Sequence, residues 1–345
     1  MLTVLRYPYG YRTIKSAARM ATGRSAILHF MRRWNPSHVY MPAYVPEGVI
    51  KPCQAHGAEV VFYRLQQDLD IDLADLETCL KKHGGERPVI VSIYYFGFSV
   101  SKDLRALADK YGAIIMGDRA HGSWDHIASD DVVLFSYNKM IPVTDGALIA
   151  TTRDDLDLSV GPLPKFSEKA AEFYRQHLAA NTAIGHASDK LIVSAAVDTS
   201  AMAYDLYYDI ISKDMEPAEP TSESEALIAE TIWAFWVVER AKRSGVLNSI
   251  LDPSLIVRDA PAMMAYPIRC NQQRDDMIEA LFHVGVLPHV QRDLWDHLPN
   301  DDRFRFEREF LEDHLLLPIE VRIGLSDLES MARAVNKFAE KRVLQ

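Results

Sequence analysis

Lys139 and Asp118 are the side chains of this sequence whose type and position best suit chemistry. Lys139 follows the apolar stretch 132–135, and Asp118 follows the apolar stretch 113–116, about twenty residues earlier. A lysine amine can form a Schiff base, and a buried carboxylate can keep a ring nitrogen protonated. A strand-end aspartate followed by a strand-end lysine therefore suits a pyridoxal phosphate (PLP) enzyme. The alternative is a surface lysine in a proline-containing loop, where lysines usually lie.

Three other groups could complete such a site. His121, three residues after Asp118, could hydrogen-bond the phenolic oxygen of the cofactor, and Ser136 at a strand end could donate to its phosphate. Thr22-Gly23-Arg24-Ser25-Ala26 begins a predicted helix, whose free N–H groups and dipole favour an anion. The alternatives are an aspartate that starts a turn, a solvated histidine and a plain helix N-cap.

The surrounding pattern predicts an α/β sheet that would position these groups. From about residue 20 to 150, apolar strand signals alternate with helix signals, and parallel strands so connected take right-handed crossovers. Ligands of such sheets collect at the carboxyl ends of the strands. The predicted strands are 39–41, 59–63, 88–94, 113–116, 132–135 and 147–150, with helices beginning at 22 or 23 and spanning 47–56, 72–83 and 103–111.

The second half of the sequence has a different pattern. The segment 164–245 is mainly helical, with long helices predicted over 165–178 and 226–243 and a polar connector at 213–222. A smaller α+β unit follows, with strands at 263–268 and 315–319 and helices at 275–282 and 328–342. We therefore expect a large α/β domain over residues 1–245, including the helical segment, and a small C-terminal α+β domain over 246–345.

Composition excludes several classes of function. The 345 residues carry 38 Lys and Arg against 48 Asp and Glu, and this net charge of −10 disfavours non-specific nucleic-acid binding. Cys53, Cys79 and Cys270 are widely spaced and odd in number, which favours a reducing cytoplasm over a disulfide framework. No signal peptide, membrane-spanning stretch or metal-ligand spacing is evident, so we expect neither a membrane nor a metal partner.

In combination, these motifs resemble the DegT/DnrJ/EryC1/StrS group of PLP-dependent aminotransferases. The segment 22–27 resembles the family's Ser-Gly-Thr-Ala-Ala-Leu phosphate turn, 39–44 its Val-Pro-Ser-Phe strand end, and 95–97 its Leu-Tyr-Gly segment. The segment 117–122 is similar to Glu-Asp-Ala-Ala-Gln-Ala, and 139–146 keeps the spacing of Lys-Asn-x-x-x-Gly-Glu-Gly-Gly. The segment 315–319 resembles the C-terminal Leu-x-Leu-Pro strand. The resemblance implies fold type I: a mixed, mostly parallel sheet flanked by helices, with a smaller α+β domain.

The resemblance also implies roles for individual residues. Lys139 would be the Schiff-base lysine and the proton carrier, Asp118 the partner of the pyridinium, and His121 the neighbour of the ring hydroxyl. Three residues would flank the phosphate, and Tyr44 is the aromatic residue nearest the ring-stacking position, which Pro46 could instead occupy. The phosphate group comprises Arg24, Ser25 and Ser136.

The implied reaction moves an amino group from an amino acid, typically glutamate, to a keto acceptor, usually a nucleotide-linked keto-sugar. A homodimer is expected on the same ground. Family dehydratases carry histidine in place of the lysine, so Lys139 counts against that alternative. Another PLP-dependent sugar-modifying reaction on the same scaffold is a second alternative. Two departures leave a non-catalytic binding or regulatory protein open: Arg119 replaces a small residue, and no Asn-Tyr-Arg loop matches residues 217–225. The segment between Ser136 and Lys139 is also shorter than the common family form.

Overall fold

A mixed β-sheet forms the centre of the molecule. The computed structural model describes residues 14–122, 129–186, 190–288 and 296–339. Within these ranges, seven strands form one sheet in the order β1-β7-β6-β5-β4-β2-β3, and β8 and β9 form a small antiparallel sheet. The strands are β1 (Ser16–Met20), β2 (His38–Pro42), β3 (Glu59–Tyr63), β4 (Val89–Ile93), β5 (Ile114–Asp118), β6 (Val132–Ser136), β7 (Ala147–Thr151), β8 (Tyr266–Arg269) and β9 (His314–Leu317).

Helices connect these strands and cover the sheet. They are α1 (Gly23–Trp34), α2 (Glu47–His56), α3 (Leu73–His83), α4 (Leu104–Lys110), α5 (Glu168–His186), α6 (Lys190–Lys213), α7 (Ser222–Glu230), α8 (Trp233–Ile250), α9 (Arg274–His283), α10 (Arg305–Glu312) and α11 (Leu325–Val335). In the described part of the chain, none of them combines the length and apolar character needed to cross a membrane.

The register of the sheet brings the predicted site residues to one edge. Strands β2 to β6 are parallel, whereas β7 runs antiparallel to both of its neighbours. Asp118 pairs with Ile93 of β4 and Leu134 of β6, so the carboxyl ends of three central strands lie together. All residues of β4 and β5 are buried, as expected for a parallel sheet covered on both faces. The fold class predicted from the alternating pattern is confirmed.

Two elements of the large sheet region differ from the sequence prediction. Strand β1 was not predicted; its sequence SAARM carries no apolar run, and antiparallel pairing with β7 holds it. The predicted helix 226–243 is two helices, because Thr231 and Ile232 take non-helical backbone angles between α7 and α8. Adjacent β-branched residues have a low helix propensity. The predicted connector does lie between α6 and α7.

The C-terminal unit contains the two-stranded sheet and the last three helices. Strand β8 begins at Tyr266, three residues later than predicted, and the closing helix spans Leu325–Val335. The final part of that predicted helix, 340–342, lies outside the described residues. Helix α8 continues through residues 245 and 246, and the division into two domains there stays a prediction.

Candidate active site

A single turn after β6 presents Lys139 to the sheet edge. The turn Tyr137–Lys139 is a 3-10 turn, closed by the Met140 amide donating to the Tyr137 carbonyl at 2.8 Å. The Tyr137 amide donates to Gly146 at 3.0 Å, which ties the turn to the start of β7. The short segment between Ser136 and Lys139 therefore forms a closed turn with a defined direction for the lysine.

A buried arginine of α8 fixes the other side of this turn. The guanidinium of Arg240 donates to the carbonyl of Met140 at 3.0 Å and to those of Met263 and Met264 at 2.6 and 2.8 Å. Burial lowers the pKa of Arg240 to about 10. This long-range contact, which joins the lysine turn to the segment before β8, was not found from the sequence.

His121 lies beside the lysine amine. Its Nε2 is 3.5 Å from Nζ of Lys139, and its Nδ1 accepts the backbone N–H of Phe96 at 2.9 Å. Because Nδ1 accepts, the neutral ring carries its proton on Nε2, which points towards Lys139. Burial, followed by the charge of Lys139, lowers the pKa of His121 well below its usual range, so the ring is neutral.

Phe96 holds His121 through an unusual backbone conformation. Its φ is 54°, a left-handed value that is rare for a bulky residue, and its ring stacks on His121 with centroids 5.5 Å apart. Gly97 follows with φ 96°, and a Cβ there would overlap the side chain of Met263. Such strained backbone is concentrated at functional sites. The role of Phe96 was missed because the sequence motif shows the residue types but not their dihedral angles.

The pKa of the Lys139 amine is lowered, as expected in a cleft and not on an outer surface. Its side chain is accessible to solvent, yet burial is the largest influence on its pKa and lowers it. The carboxylate of Asp118 opposes this effect, and the positive charge of Arg24 adds to it. A lowered pKa increases the share of neutral amine, which is the nucleophilic form.

Asp118 is buried at the end of β5, where it faces this amine. Its Oδ1 accepts the N–H of Ala120 at 2.9 Å, and it is 6% exposed. Burial raises its pKa, while the charge of Lys139 and the Ala120 hydrogen bond oppose that rise. A further cation at this position, such as a protonated ring nitrogen, would favour the carboxylate.

Arg119 does not neutralise Asp118. Its guanidinium points away from the site and pairs with Asp130, with Nε and Nη2 at 2.8 and 2.7 Å from Oδ2. It also lies over the ring of Tyr94, 3.8 Å from the centroid. The residue that departs from the family pattern is therefore part of the structure beneath the site.

The three residues expected at the phosphate differ in their contacts. Ser25 is buried, and its hydroxyl donates to the backbone carbonyl of Thr22 at 3.1 Å. The hydroxyl of Thr22 caps α1 by accepting the N–H of Ser25, also at 3.1 Å. Ser136 Oγ donates to Asn138 at 2.9 Å. Arg24 has a buried Nε with no hydrogen-bond partner among the described residues. Thus the N-terminus of α1 and Arg24 are the groups best able to accept an anion, and Ser25 serves the helix cap.

Tyr44 lies in a buried aromatic cluster. Its ring packs against Tyr95 and Phe310 with centroids 5.4 and 5.3 Å away, and its hydroxyl is 3.4 Å from Nε2 of His314. These contacts direct Tyr44 towards α10 and β9, whereas the rings of Phe96 and His121 stack on each other beside Lys139. The ring-stacking role expected for Tyr44 stays a prediction.

The segment before α7 is held against its own chain. Asp145, which is fully buried, accepts hydrogen bonds from the Thr221 backbone and hydroxyl, both at 2.7 Å, and from the Ser224 hydroxyl. The Ala21 amide also donates to Ala218 at 2.9 Å. The segment where no Asn-Tyr-Arg loop was matched is thus anchored beside the residue before the Thr22 cap and beside the loop that follows Lys139.

The lowered pKa of Lys139 predicts a measurable pH dependence. Below the ordinary lysine pKa, Lys139 of the cofactor-free protein should react with a limiting amine reagent faster than the exposed Lys102. Asp118→Asn should increase this reactivity further, because the carboxylate raises the pKa of Lys139. Competitive labelling followed by mass spectrometry over a pH series measures both; equal titration of the two lysines would contradict the cleft environment.

Comparison with known proteins gives the class of fold. No protein-family model and no curated protein sequence matches the chain. Solved structures do match over most of their length. The chain superposes on DesV of S. venezuelae with a TM-score of 0.65 and 17% identity, covering 98% of this chain and 92% of that one.

Two further structures give the same result. Helicobacter pylori PseC, an aminotransferase involved in the biosynthesis of pseudoaminic acid, matches with a TM-score of 0.61 and 17% identity, covering 95% and 87% of the two chains. A DegT DnrJ EryC1 StrS aminotransferase from Brucella abortus matches with a TM-score of 0.59 at the same identity and coverage. This chain has the fold of these aminotransferases, which confirms the expected fold type; identities this low establish the fold alone.

Proposed function

We propose that the protein is a PLP-dependent aminotransferase that uses Lys139. The observation that carries the proposal is the placement of Lys139 Nζ 3.5 Å from the neutral His121, facing the buried carboxylate of Asp118, at the carboxyl edge of the sheet. The fold is shared with aminotransferases. Chemistry on a fold must be argued from its site, and these three groups supply it.

The residues of the site fit the cofactor. The N-terminus of α1 leaves the amides of Gly23 and Arg24 without intrahelical acceptors, and the buried Nε of Arg24 adds a donor. A Cβ on Gly23 would meet no atom within 4 Å, so this turn is open. Phosphate groups bind readily at such helix ends. We therefore place the cofactor phosphate there, with Ser136 close by at the end of β6.

Each of the remaining side chains has a definite task. Bound PLP would supply an aldehyde and an electron-withdrawing ring. The neutral amine of Lys139 would hold the cofactor through that aldehyde, with loss of water, and would carry a proton to and from the substrate carbon. Asp118 would keep the ring nitrogen protonated. The Nε2–H of His121 would be the donor for the ring oxygen, and the Phe96 amide, which donates to Nδ1, keeps that tautomer in place.

The donor and acceptor are proposed from the resemblance. Glutamate is the proposed amino donor, and a nucleotide-linked keto-sugar is the proposed acceptor. The similarity of the fold to that of PseC, an aminotransferase involved in the biosynthesis of pseudoaminic acid, supports a sugar acceptor. The retained lysine supports amino transfer over the dehydratase alternative.

A homodimer is part of the same proposal. At the start of α8, Ile232, Phe235 and Val238 are 71%, 51% and 63% exposed, and their spacing of three places them along one side of the helix. Exposed apolar surface of this kind marks interaction sites. The neighbouring Trp233 packs on Tyr137 of the lysine turn, 5.4 Å between centroids, so a second copy here would lie near the site. Sedimentation equilibrium should give the mass of two chains.

A half-reaction tests the function. The protein reconstituted with PLP should lose visible absorbance when L-glutamate is added, as pyridoxamine phosphate forms, and should regain it with a keto acceptor. Asp118→Asn should slow this conversion by about 10²-fold or more. Asp103→Asn, which changes an exposed aspartate outside the site, should leave it unchanged. A wild-type spectrum that does not respond to any amino donor would refute the transaminase assignment.

A further inference from the structure

The helical hairpin of α5 and α6 is the element whose function the reaction does not explain. In the sequence it lies between β7 and α7. An aromatic and polar cluster joins its two helices: Tyr174 packs edge-on against Tyr207 with centroids 4.7 Å apart, and Ser200 Oγ lies 2.9 Å from Nδ1 of His177. These contacts pack the described parts of the two helices against each other.

This hairpin contacts the site at two points. The hydroxyl of Tyr174 lies 3.4 Å from the carbonyl of Asn138, in the turn that carries Lys139. On α6, the ring of Tyr208 lies under the guanidinium of Arg24, 4.4 Å from Cζ to the ring centroid. The first contact reaches the lysine turn, and the second reaches the phosphate turn.

Arg24 is held between two surfaces. Tyr208 covers one side of its guanidinium, and on the other side Gly48 leaves just enough room, since a Cβ there would be 3.2 Å from Cζ of Arg24. Among the described residues, the buried Nε of Arg24 has no hydrogen-bond partner, and no carboxylate forms an ion pair with its guanidinium. Its charge nevertheless acts on Lys139, whose pKa it lowers. An arginine fixed by packing and left without a carboxylate is suited to an external anion.

We infer that Tyr208 is a positioning residue that clamps Arg24 against Gly48 so that its guanidinium binds the phosphate of the cofactor. The inference rests on the proposed function, and it assigns the α5–α6 hairpin a role in retaining the cofactor. Fixing the guanidinium before binding removes the entropy cost of ordering a long side chain. Cation–π contact with the Tyr208 ring maintains the position.

Affinity for the cofactor with and without its phosphate tests the inference. Apo-protein is titrated with PLP and with pyridoxal, which has the aldehyde and ring but no phosphate, and the dissociation constants are read from absorbance. Tyr208→Leu should weaken PLP binding by about 5-fold, the worth of a cation–π contact, and leave pyridoxal binding unchanged. Tyr208→Phe, which keeps the ring, is the matched control and should bind PLP within about 2-fold of the wild type.

A double-mutant cycle separates positioning from general packing. Arg24→Met should weaken PLP binding much more than pyridoxal binding, since it acts on pyridoxal only through the pKa of Lys139, and adding Tyr208→Leu to Arg24→Met should produce no further loss. Arg24→Met also gives a decisive reading if Tyr208→Leu fails to fold: no phosphate-dependent loss in Arg24→Met would overturn the inference.

Other results would also overturn it. Equal weakening of PLP and pyridoxal by Tyr208→Leu would mean that the ring only supports the fold. If Arg24→Met raises the KM for the acceptor and leaves PLP affinity unchanged, Arg24 binds a substrate anion instead of the cofactor phosphate. Failure of the wild-type protein to bind PLP at all would refute the proposed function, and this result is independent of both variants.

Discussion

Replacing Lys139 with alanine should remove the visible absorbance of lysine-bound PLP and reduce amino transfer by about 10⁴-fold or more. In the proposed function the amine both captures the cofactor and carries the proton, so its removal should affect both steps. His121, 3.5 Å away, is neutral and already donates its Nε2 proton towards the site. Spectral titration with PLP and single-turnover kinetics with glutamate measure the two losses separately.

Two variants control this experiment. Lys139→Arg keeps the positive charge opposite Asp118 but cannot form the Schiff base, and it should be as inactive as alanine. Lys102→Ala removes an exposed lysine outside the site and should have wild-type activity. The proposed phosphate site at the N-terminus of α1 does not include Lys139, so Lys139→Ala should still bind PLP non-covalently. Substantial turnover by Lys139→Ala would sink the proposed mechanism.

The sequence predicted the sheet edge because its signals are local. The strands before Asp118 and Lys139 are continuous apolar runs, and such runs are typical of a parallel sheet buried on both faces. The carboxyl ends of those strands then fall together in any right-handed α/β arrangement. Thr22 also predicted the start of α1 correctly, because a threonine cap needs only the next three residues.

Contacts between distant segments could not be predicted in this way. Strand β1 depends on β7, and the direction of the Lys139 turn depends on Arg240, about 100 residues later. The sequence pattern of α5 and α6 predicts helices, but nothing in it indicates that the ring of Tyr208 lies against the guanidinium of Arg24. Side-chain direction is also hidden: the sequence shows Arg119 beside Asp118, whereas the structure directs the two side chains to different partners.

Arg119 and Asp130 form a buried ion pair beneath the site. Their side chains are 0% and 1% exposed, and Tyr94 donates its hydroxyl to Asp130 Oδ1 at 2.9 Å. A Cβ on Gly117 would overlap Oδ2 of Asp130, so the glycine before Asp118 makes room for the carboxylate. The pair therefore joins Tyr94 and Arg119, which follow β4 and β5, to Asp130, two residues before β6.

Removing one member of this pair should have the largest effect on stability. Asp130→Ala leaves the Arg119 charge buried without its carboxylate, and we expect it to lower the free energy of unfolding by about 3–5 kcal/mol. Denaturant unfolding followed by circular dichroism measures the change. Because Arg119 adjoins Asp118, PLP affinity should fall as well.

The double variant Arg119→Met with Asp130→Leu distinguishes a missing partner from a missing contact. Replacing both charges by apolar groups of similar volume removes the buried arginine charge together with its carboxylate, so it should recover most of the stability lost in Asp130→Ala. If the pair only fills space, PLP affinity should recover with stability. If its hydrogen bonds also hold β4 and β5 in register at Asp118, stability should recover while PLP affinity stays low. A single Asp130→Ala variant with wild-type stability would show that Arg119 finds another partner, and would contradict the ion pair as the support of the site.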